Sequence, residues 1–445
     1  MCTLLALAAC AGPTVPKPLP QAQVAPQTIL TPAAPETTRP PEPETAAPQS
    51  PQDAGAVTEA MIDQPIKVAL LLPLSGRHAA LGESLLNAAQ LALFDVAEDR
   101  FSLVVRDTRG TPDGAREATR AALDAGARLV LGPVFATSVT AMSAAARARG
   151  VSVVAFSNDR SVADGATFVM GLGPQPQIDR LIGYARRQGL VRFAVLAPQS
   201  AYGNAVVRAL QDAVARYGGE LSRVVSYRAG VTDLTEEVRA LADYDARHAD
   251  LVAQRELLAA REDEASQLAL ERLEGLETIG APDFDAVLLP QGGKRLQAIA
   301  PLLAYYDVDP AEVRYLGTAH WDDARLGTEP ALAGGWFTAP PPKLWQSFRD
   351  RYRETYDKVP PRIAALAYDA TALAAVLTRR ALGEGREPDF GPDALTQPSG
   401  FAGIDGVFRF LPSGEVQRRL AVLELRRGGF QVLDRAPNDF RQLGF

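Results

Sequence analysis

The sequence predicts an α/β protein of two lobes, each a parallel sheet flanked by helices, preceded by a disordered Pro-rich tether. Three observations predict it. From residue 66 onward, short apolar runs alternate with amphipathic helical patterns, the signature of parallel sheets covered on both faces. The alternation comes in two series, separated by a Gly/Pro cluster at Gly171, Gly173, Pro174 and Pro176. Ahead of residue 66 there is no such pattern: residues 11–65 hold 13 of the 34 Pro and no aromatic residue. Such a segment cannot bury enough apolar surface to offset its ordering entropy.

In the first series, residues 67–73 (KVALLLP) form a continuous apolar run closed by Pro, as a buried parallel strand should. Ser75 and Gly76 turn the chain, and Leu85, Ala88, Ala89, Ala92 and Val96 then recur at helical spacing. Strands at 101–106, 129–131 and 151–156 alternate with helices at 114–124 and 138–149. The second series repeats the pattern, with strands at 192–197, 222–227, 286–289 and 313–316 and a helix at 202–217. One segment breaks the rhythm. Residues 235–277 carry 12 acidic and five basic residues, no Pro and no Gly before Gly275. Their Leu residues punctuate a polar background, as on helices with one narrow apolar stripe. That length far exceeds a normal strand–helix connection, so it reads as one or two extra helices protruding from the second lobe. Such an insertion is either a solvated elaboration or a docking surface for a protein, with Leu251, Leu258, Leu268 and Leu273 as the candidates to touch a partner.

At the N-terminus, residues 1–9 are apolar and small and lead into Cys10. They read as the remnant of a signal peptide. Secretory signals run about 15–30 residues, so the expected translation start lies upstream. Residues 10–65 would form the linker, spanning about 170 Å as extended polyproline II or about 40 Å as a flexible coil. A tether of that reach places the work of the folded body away from its anchor.

The chemistry that is missing narrows the function. The net charge is −7 with no basic run, which excludes a general nucleic-acid binder. Three His and two Cys, the latter at positions 2 and 10, leave no metal site or disulfide framework for the body. No GxSxG, SxxK, HExxH or phosphate-binding loop occurs, so no enzyme and no cofactor is expected. A cleft is the better expectation, because ligands of open α/β sheets lie beyond the carboxyl ends of the strands. The loops so placed hold Ser75, Thr137, Ser138, Ser157, Asn158, Tyr202, Gln291 and Trp321. Hydroxyls beside helix N-terminal amides suit a carboxylate, while Tyr202 and Trp321 suit an apolar side chain. Each also has a plain structural role open to it: Ser138 as a helix cap, Ser157 as a turn, Tyr202 as interlobe packing. No acid stands out as the partner of a ligand ammonium group; Asp322 qualifies only by its place after the strand at 316–318.

Two resemblances follow from particular residues. Leu7-Ala8-Ala9-Cys10 resembles the lipobox of bacterial lipoproteins, which implies diacylglyceryl attachment at Cys10. Ala11, in place of Asp, implies the outer membrane. Residues 66–82 (IKVALLLPLSGRHAALG), Gly132-Pro133, residues 153–157, Ala201-Tyr202-Gly203, residues 364–375 and residues 403–410 (GIDGVFRF) resemble the type I periplasmic binding-protein fold of branched-chain amino-acid receptors. The resemblance implies three crossings between lobes, with lobe one at 66–173 plus 334–402 and lobe two at 174–333 plus 403–445. It also implies an α-carboxylate site at Thr137, Ser138 and Ser157, with Tyr202 as the aromatic of a Tyr-Gly motif. Lipobox, tether and receptor-like body together resemble the lipoprotein activators of penicillin-binding proteins. The best-known members add an N-terminal helical-repeat domain where this chain has its tether. The implied function is activation of a peptidoglycan synthase, a bifunctional penicillin-binding protein, through protein contact from an outer-membrane lipid anchor. The alternative is a substrate-binding lipoprotein serving an ABC importer of an amino acid or small peptide.

Overall fold

The computed structural model describes residues 64–440; the signal remnant, Cys10, almost all of the linker and the last five residues lie outside the described residues. Lobe one is built on a five-stranded parallel sheet in the order β2-β1-β3-β4-β5, made by β1 (Ile66–Leu72), β2 (Phe101–Asp107), β3 (Leu129–Leu131), β4 (Ser152–Ala155) and β5 (Thr167–Val169). All but one of the seven β1 residues are buried, as its unbroken apolar run requires of a central strand covered on both faces. On one face, Ala69, Leu71 and Val130 pack against Ala118 of α2 (Pro112–Asp124) and Val139 and Met142 of α3 (Ala136–Ala148). On the other, Leu70, Phe156 and Phe168 meet Leu85 of α1 (Ala79–Val96). The start of α2 is set locally: Pro112 occupies its first turn, and Thr111 accepts the Gly114 N–H at 3.1 Å, the expected division of labour between cap and first residue.

The chain enters lobe two through α4 (Pro174–Arg187), followed by β6 (Arg192–Gln199), α5 (Ala201–Tyr217) and β7 (Glu220–Arg228). The helices α6 (Thr235–Ala242), α7 (Tyr244–Ala259) and α8 (Glu264–Leu273) come next, then β8 (Ala286–Leu289), α9 (Gly293–Tyr305), β9 (Arg314–Gly317) and β10 (Trp336–Ala339). Returning to lobe one, α10 (Pro342–Tyr356) and α11 (Ala364–Gly383) pack against α1, and the short α12 (Pro392–Leu395) precedes a small antiparallel sheet of β11 (Phe401–Gly403), β12 (Gly406–Phe410) and β13 (Val416–Arg418). The last strands, β14 (Ala421–Arg426) and β15 (Gly429–Asp434), complete the seven-stranded sheet of lobe two, ordered β15-β14-β10-β9-β8-β6-β7.

Two of the expected crossings are displaced. Residues 334–339 were expected in lobe one, yet β10 pairs with β9 in parallel and with β14 antiparallel. The second crossing therefore lies after Ala339. Residues 403–418 were expected in lobe two, yet Ile404, Phe408 and Phe410 sit in the lobe one core with Phe168. The third crossing accordingly falls between β13 and β14. In both cases strand pairing and aromatic burial decide a boundary that alternation alone does not mark.

The charged insertion begins later than expected. It contains three helices, and the first is not extra: Val238, Leu241 and Ala242 of α6 are buried in the lobe two core. The addition is the hairpin of α7 and α8. Arg255 ties it together by donating to the Leu273 and Leu276 carbonyls at 2.6 and 3.0 Å. Its base is held where Arg247 donates to the Gly280 carbonyl at 2.6 Å.

Candidate functional site

A cleft of about 510 Å³ opens between the lobes at the carboxyl ends of their strands. Lobe one contributes Phe135 and Ala136 at the start of α3, Phe156, Ser157 and Asn158 beyond β4, and Ile363 and Leu366 at the start of α11. Lobe two contributes Ala319 and Asp322 from the 3-10 turn beyond β9, and the crossing segments add Gly171, Leu172 and Pro340. Gly171 is required there, because a Cβ at that position would lie 2.4 Å from the Ser157 carbonyl oxygen. A bulkier residue would push the first crossing off the cleft wall.

The predicted site residues divide. Ser157 and Asn158 line the cleft. Ser157 is buried, and its hydroxyl accepts the Asp159 N–H at 3.1 Å, so it forms the turn as well as the wall. Ser138 lies one turn into α3, fully buried, and its hydroxyl has no partner among the described residues. Thr137 is exposed and outside the lining. Ser75 also lies outside it: its hydroxyl donates to Asp107 at 2.6 Å. Burial alone would raise the Asp107 carboxyl, but this hydroxyl and the Arg109, Leu74 and Ser75 N–H donors hold it below its ordinary value. Gln291 is half-buried and away from the cleft lining. Tyr202 faces a neighbouring hollow with Asn158 and Asp212, where its hydroxyl shares hydrogen bonds with Thr318 Oγ1 and His320 Nδ1, both at 3.2 Å.

Trp321 is a correction. The expectation placed it over an apolar ligand group, but it is completely buried in the lobe two core and donates Nε1–H to the Leu289 carbonyl at 3.0 Å. Gly317 and Gly335 make room for its ring, since a Cβ at either would fall 2.2 and 2.5 Å from ring atoms. The packed indole instead anchors the turn that presents its neighbour, Asp322.

The polar centre of the cleft joins Asp322 to two residues that alternation and loop position did not reveal, Arg362 and Asp405. Arg362, just ahead of α11, donates Nε–H to Asp322 Oδ2 at 3.0 Å and Nη1–H to Asp405 Oδ1 at 2.6 Å. The guanidinium lies over the Trp345 ring at 4.3 Å, a cation–π contact that fixes its plane. Burial pushes the Asp322 carboxyl above its ordinary value, and Arg362 opposes that shift. Burial works against the Arg362 charge too, but Asp405 and Asp322 outweigh it and its pKa is raised. Arg362 stands 40 and 43 residues from its two partners, so no local motif signals the cluster. Asp322, picked out as a partner for an ammonium group, is thus already paired within the chain.

The docking leucines divide as well. Leu251 is fully buried, which corrects its candidacy; Leu258 and Leu273 are half-buried, and Leu268 is 50% exposed. Leu257 and Leu276, at 62% and 44% exposed, extend the apolar face of the hairpin. Among the described residues, no group of three His, Cys, Asp or Glu could hold a metal ion. No described helix is long and apolar enough to cross a membrane. The cleft offers apolar walls from Phe135, Phe156, Ile363 and Leu366, the Ser157 hydroxyl and a fixed ion cluster.

Comparison with known proteins places these features. A family model described as periplasmic binding protein matches residues 65–429. An uncharacterized protein of Rickettsia prowazekii (strain Madrid E) is 23% identical over 195 residues, 43% of this chain and 50% of that protein, so the chain spans half of that relative's length. Among solved structures, a Rhodospirillum rubrum protein assigned to a branched-chain amino acid ABC transporter is 19% identical, covering 83% of this chain and all of the other, with a TM-score of 0.65. A solute-binding protein of an R. palustris ABC transporter, in complex with benzoate, is 17% identical, covering 84% and 97% at a TM-score of 0.54. The substrate-binding protein of the Streptococcus pneumoniae branched-chain amino acid transporter, in complex with isoleucine, is 18% identical, covering 84% and 100% at a TM-score of 0.53. At such identities the likeness to these structures is one of fold.

Proposed function

This chain belongs to the periplasmic binding protein family, and on that premise we propose that it works by protein contact, as an outer-membrane-anchored lipoprotein that activates a bifunctional penicillin-binding protein. The observation that carries the reading is the hairpin of α7 and α8. The lobe two sheet is already covered between β7 and β8 by α6, so the hairpin adds nothing that the fold requires. It presents Leu257, Leu268 and Leu276 to solvent among charged residues, the composition of an interface with an apolar centre and a polar rim. The lipobox at Cys10 and the 55-residue tether support it by supplying an anchor and reach. The test is reconstitution. The lipid-free protein should stimulate a purified bifunctional penicillin-binding protein, and deletion of residues 243–273 should abolish stimulation while circular dichroism shows a folded body. Full stimulation by the deletion variant would sink the docking role of the hairpin.

The importer-receptor reading rests on a different observation, the cleft itself. Its volume suits a small ligand, and Ser157 stands in its wall beside the start of α3. Relatives of this fold were crystallised with isoleucine and with benzoate. Calorimetric titration with amino acids and aromatic acids separates the two readings. Saturable heat abolished by filling the wall with Leu172→Trp would favour a receptor, and no heat with any of them would favour the contact reading.

A further inference from the structure

We propose that Arg362 is a built-in latch: it closes the interlobe cleft by occupying, with the chain's own guanidinium, the place where the cation of a ligand would meet the carboxylates of the two lobes. The inference goes beyond the proposed function and does not depend on which partner the hairpin meets. The two carboxylates belong to different lobes. Asp405 sits in the turn between β11 and β12, beside Ile404 in the lobe one core. Asp322 follows the 3-10 turn beyond β9 in lobe two. One arginine donates to both, through Nε and Nη1, so the lobes cannot part at this point without breaking a charged hydrogen bond.

Each end of the latch is rigidly mounted, which distinguishes it from a surface ion pair between two flexible side chains. Arg362 lies two residues ahead of α11, a 20-residue helix with 13 buried positions, and its guanidinium is pinned on Trp345 of α10. On the other side, Trp321 is locked to the Leu289 carbonyl, and the Ala319 N–H donates to Gln177 Oε1 at 2.7 Å. Asp322 therefore rides on a turn held at two points. The Asp322 side chain is only 12% exposed, so water has little access to it while the cleft stays closed. Arg362 Nη2, the remaining arm, is buried and has no hydrogen-bond partner among the described residues; beyond its stacking on Trp345, the cation is held by its two aspartate contacts.

The lining gives the latch a consequence. The acids that reach the cleft are Asp159, Asp322 and Asp405. Asp159 caps its own turn by accepting from the N–H and hydroxyl of Ser161, and the other two are taken by Arg362. An α-ammonium group entering the cleft finds each of these acids engaged, so the latch selects against zwitterionic amino acids as well as closing the lobes.

Hydrogen-exchange mass spectrometry on the full chain tests the latch. Asp322→Asn keeps the shape of the side chain but removes its charge. Exchange in the two cleft walls, residues 156–159 and 318–323, should accelerate at least five-fold, while β1 and β6 exchange as in the wild type. Arg362→Met keeps the packing on Trp345, loses the cation and should give the same pattern. Two results would overturn the inference: wild-type exchange in both walls of both variants, or acceleration spreading into β1 and β6, which would make the cluster a support of the fold and not a latch.

Discussion

Of the arginines pinned on aromatic rings beside aspartates, Arg418 and Arg362 do different work. Arg418, on β13, lies over Phe408 at 4.8 Å and reaches Asp369 of α11 at 3.4 Å; its side chain is 1% exposed and that of Asp369 is fully buried. Arg362 lies over Trp345 and reaches Asp322 and Asp405, but 30% of its side chain meets solvent. Asp369 also accepts the Ile404 N–H at 2.6 Å, so its oxygens bind α11 to the loop that carries Asp405. The Arg418 pair joins elements of one lobe; the Arg362 cluster joins two lobes. The same chemistry is a staple where its partners cannot separate and a latch where they can. What differs is access of water, which sets the penalty for breaking each pair.

The largest effect should come from the staple. Arg418→Met leaves the Asp369 carboxylate buried without its cation and should lower unfolding stability by about 3–5 kcal/mol, measured by chemical denaturation. Asp322→Asn, which leaves Arg362 paired with Asp405, removes one charged hydrogen bond and should cost less, about 2 kcal/mol or less. Equal losses from the two would erase the distinction between them.

The staple should also respond to pH. Burial pushes the Asp369 carboxyl up to about 6, against the opposing pull of Arg418. A carboxyl raised above its unfolded value of 3.8 favours the folded state most below that value, and this contribution is lost as pH rises through about 6. Carbon-13 NMR should therefore find the Asp369 carboxyl titrating near 6. A midpoint at or below 4 would mean that Arg418 wins and that the pair is charged throughout this range.

The smallest effect on stability lies on the hairpin. Leu257→Asp together with Leu268→Asp, both on exposed positions, should shift unfolding by about 0.5 kcal/mol or less. If the proposed synthase partner docks on the hairpin, the same double variant should weaken its binding at least ten-fold by surface plasmon resonance. Unchanged affinity would move the contact elsewhere on the body.

The strands that the sequence marked most clearly are those covered on both faces. Residues 67–72 and 192–197 read as continuous apolar runs because no side of a central parallel strand meets water. Ser157 and Asn158 were legible for a related reason: a polar loop ending a buried strand in an α/β fold points to the ligand side. The second and third crossings were not legible. Trp336–Ala339 would serve either sheet by composition, and its place between β9 and β14 was decided by pairing with a strand more than 80 residues later. Nor could the pattern tell Leu251 from Leu257, six residues apart in one helix, where rotation of a narrow stripe against α6 and α8 buries one and exposes the other.

By itself the sequence determined the two-lobed α/β class, the charged insertion and, at the cleft, the loop of Ser157 and Asn158, because hydrophobic periodicity and chain-breaking residues are local properties. Only the tertiary structure decided that Trp321 is core and that Arg362 closes on Asp322 and Asp405. Those outcomes depend on which distant surfaces meet, and a charge finds its partner through space after burial has fixed the backbone around it.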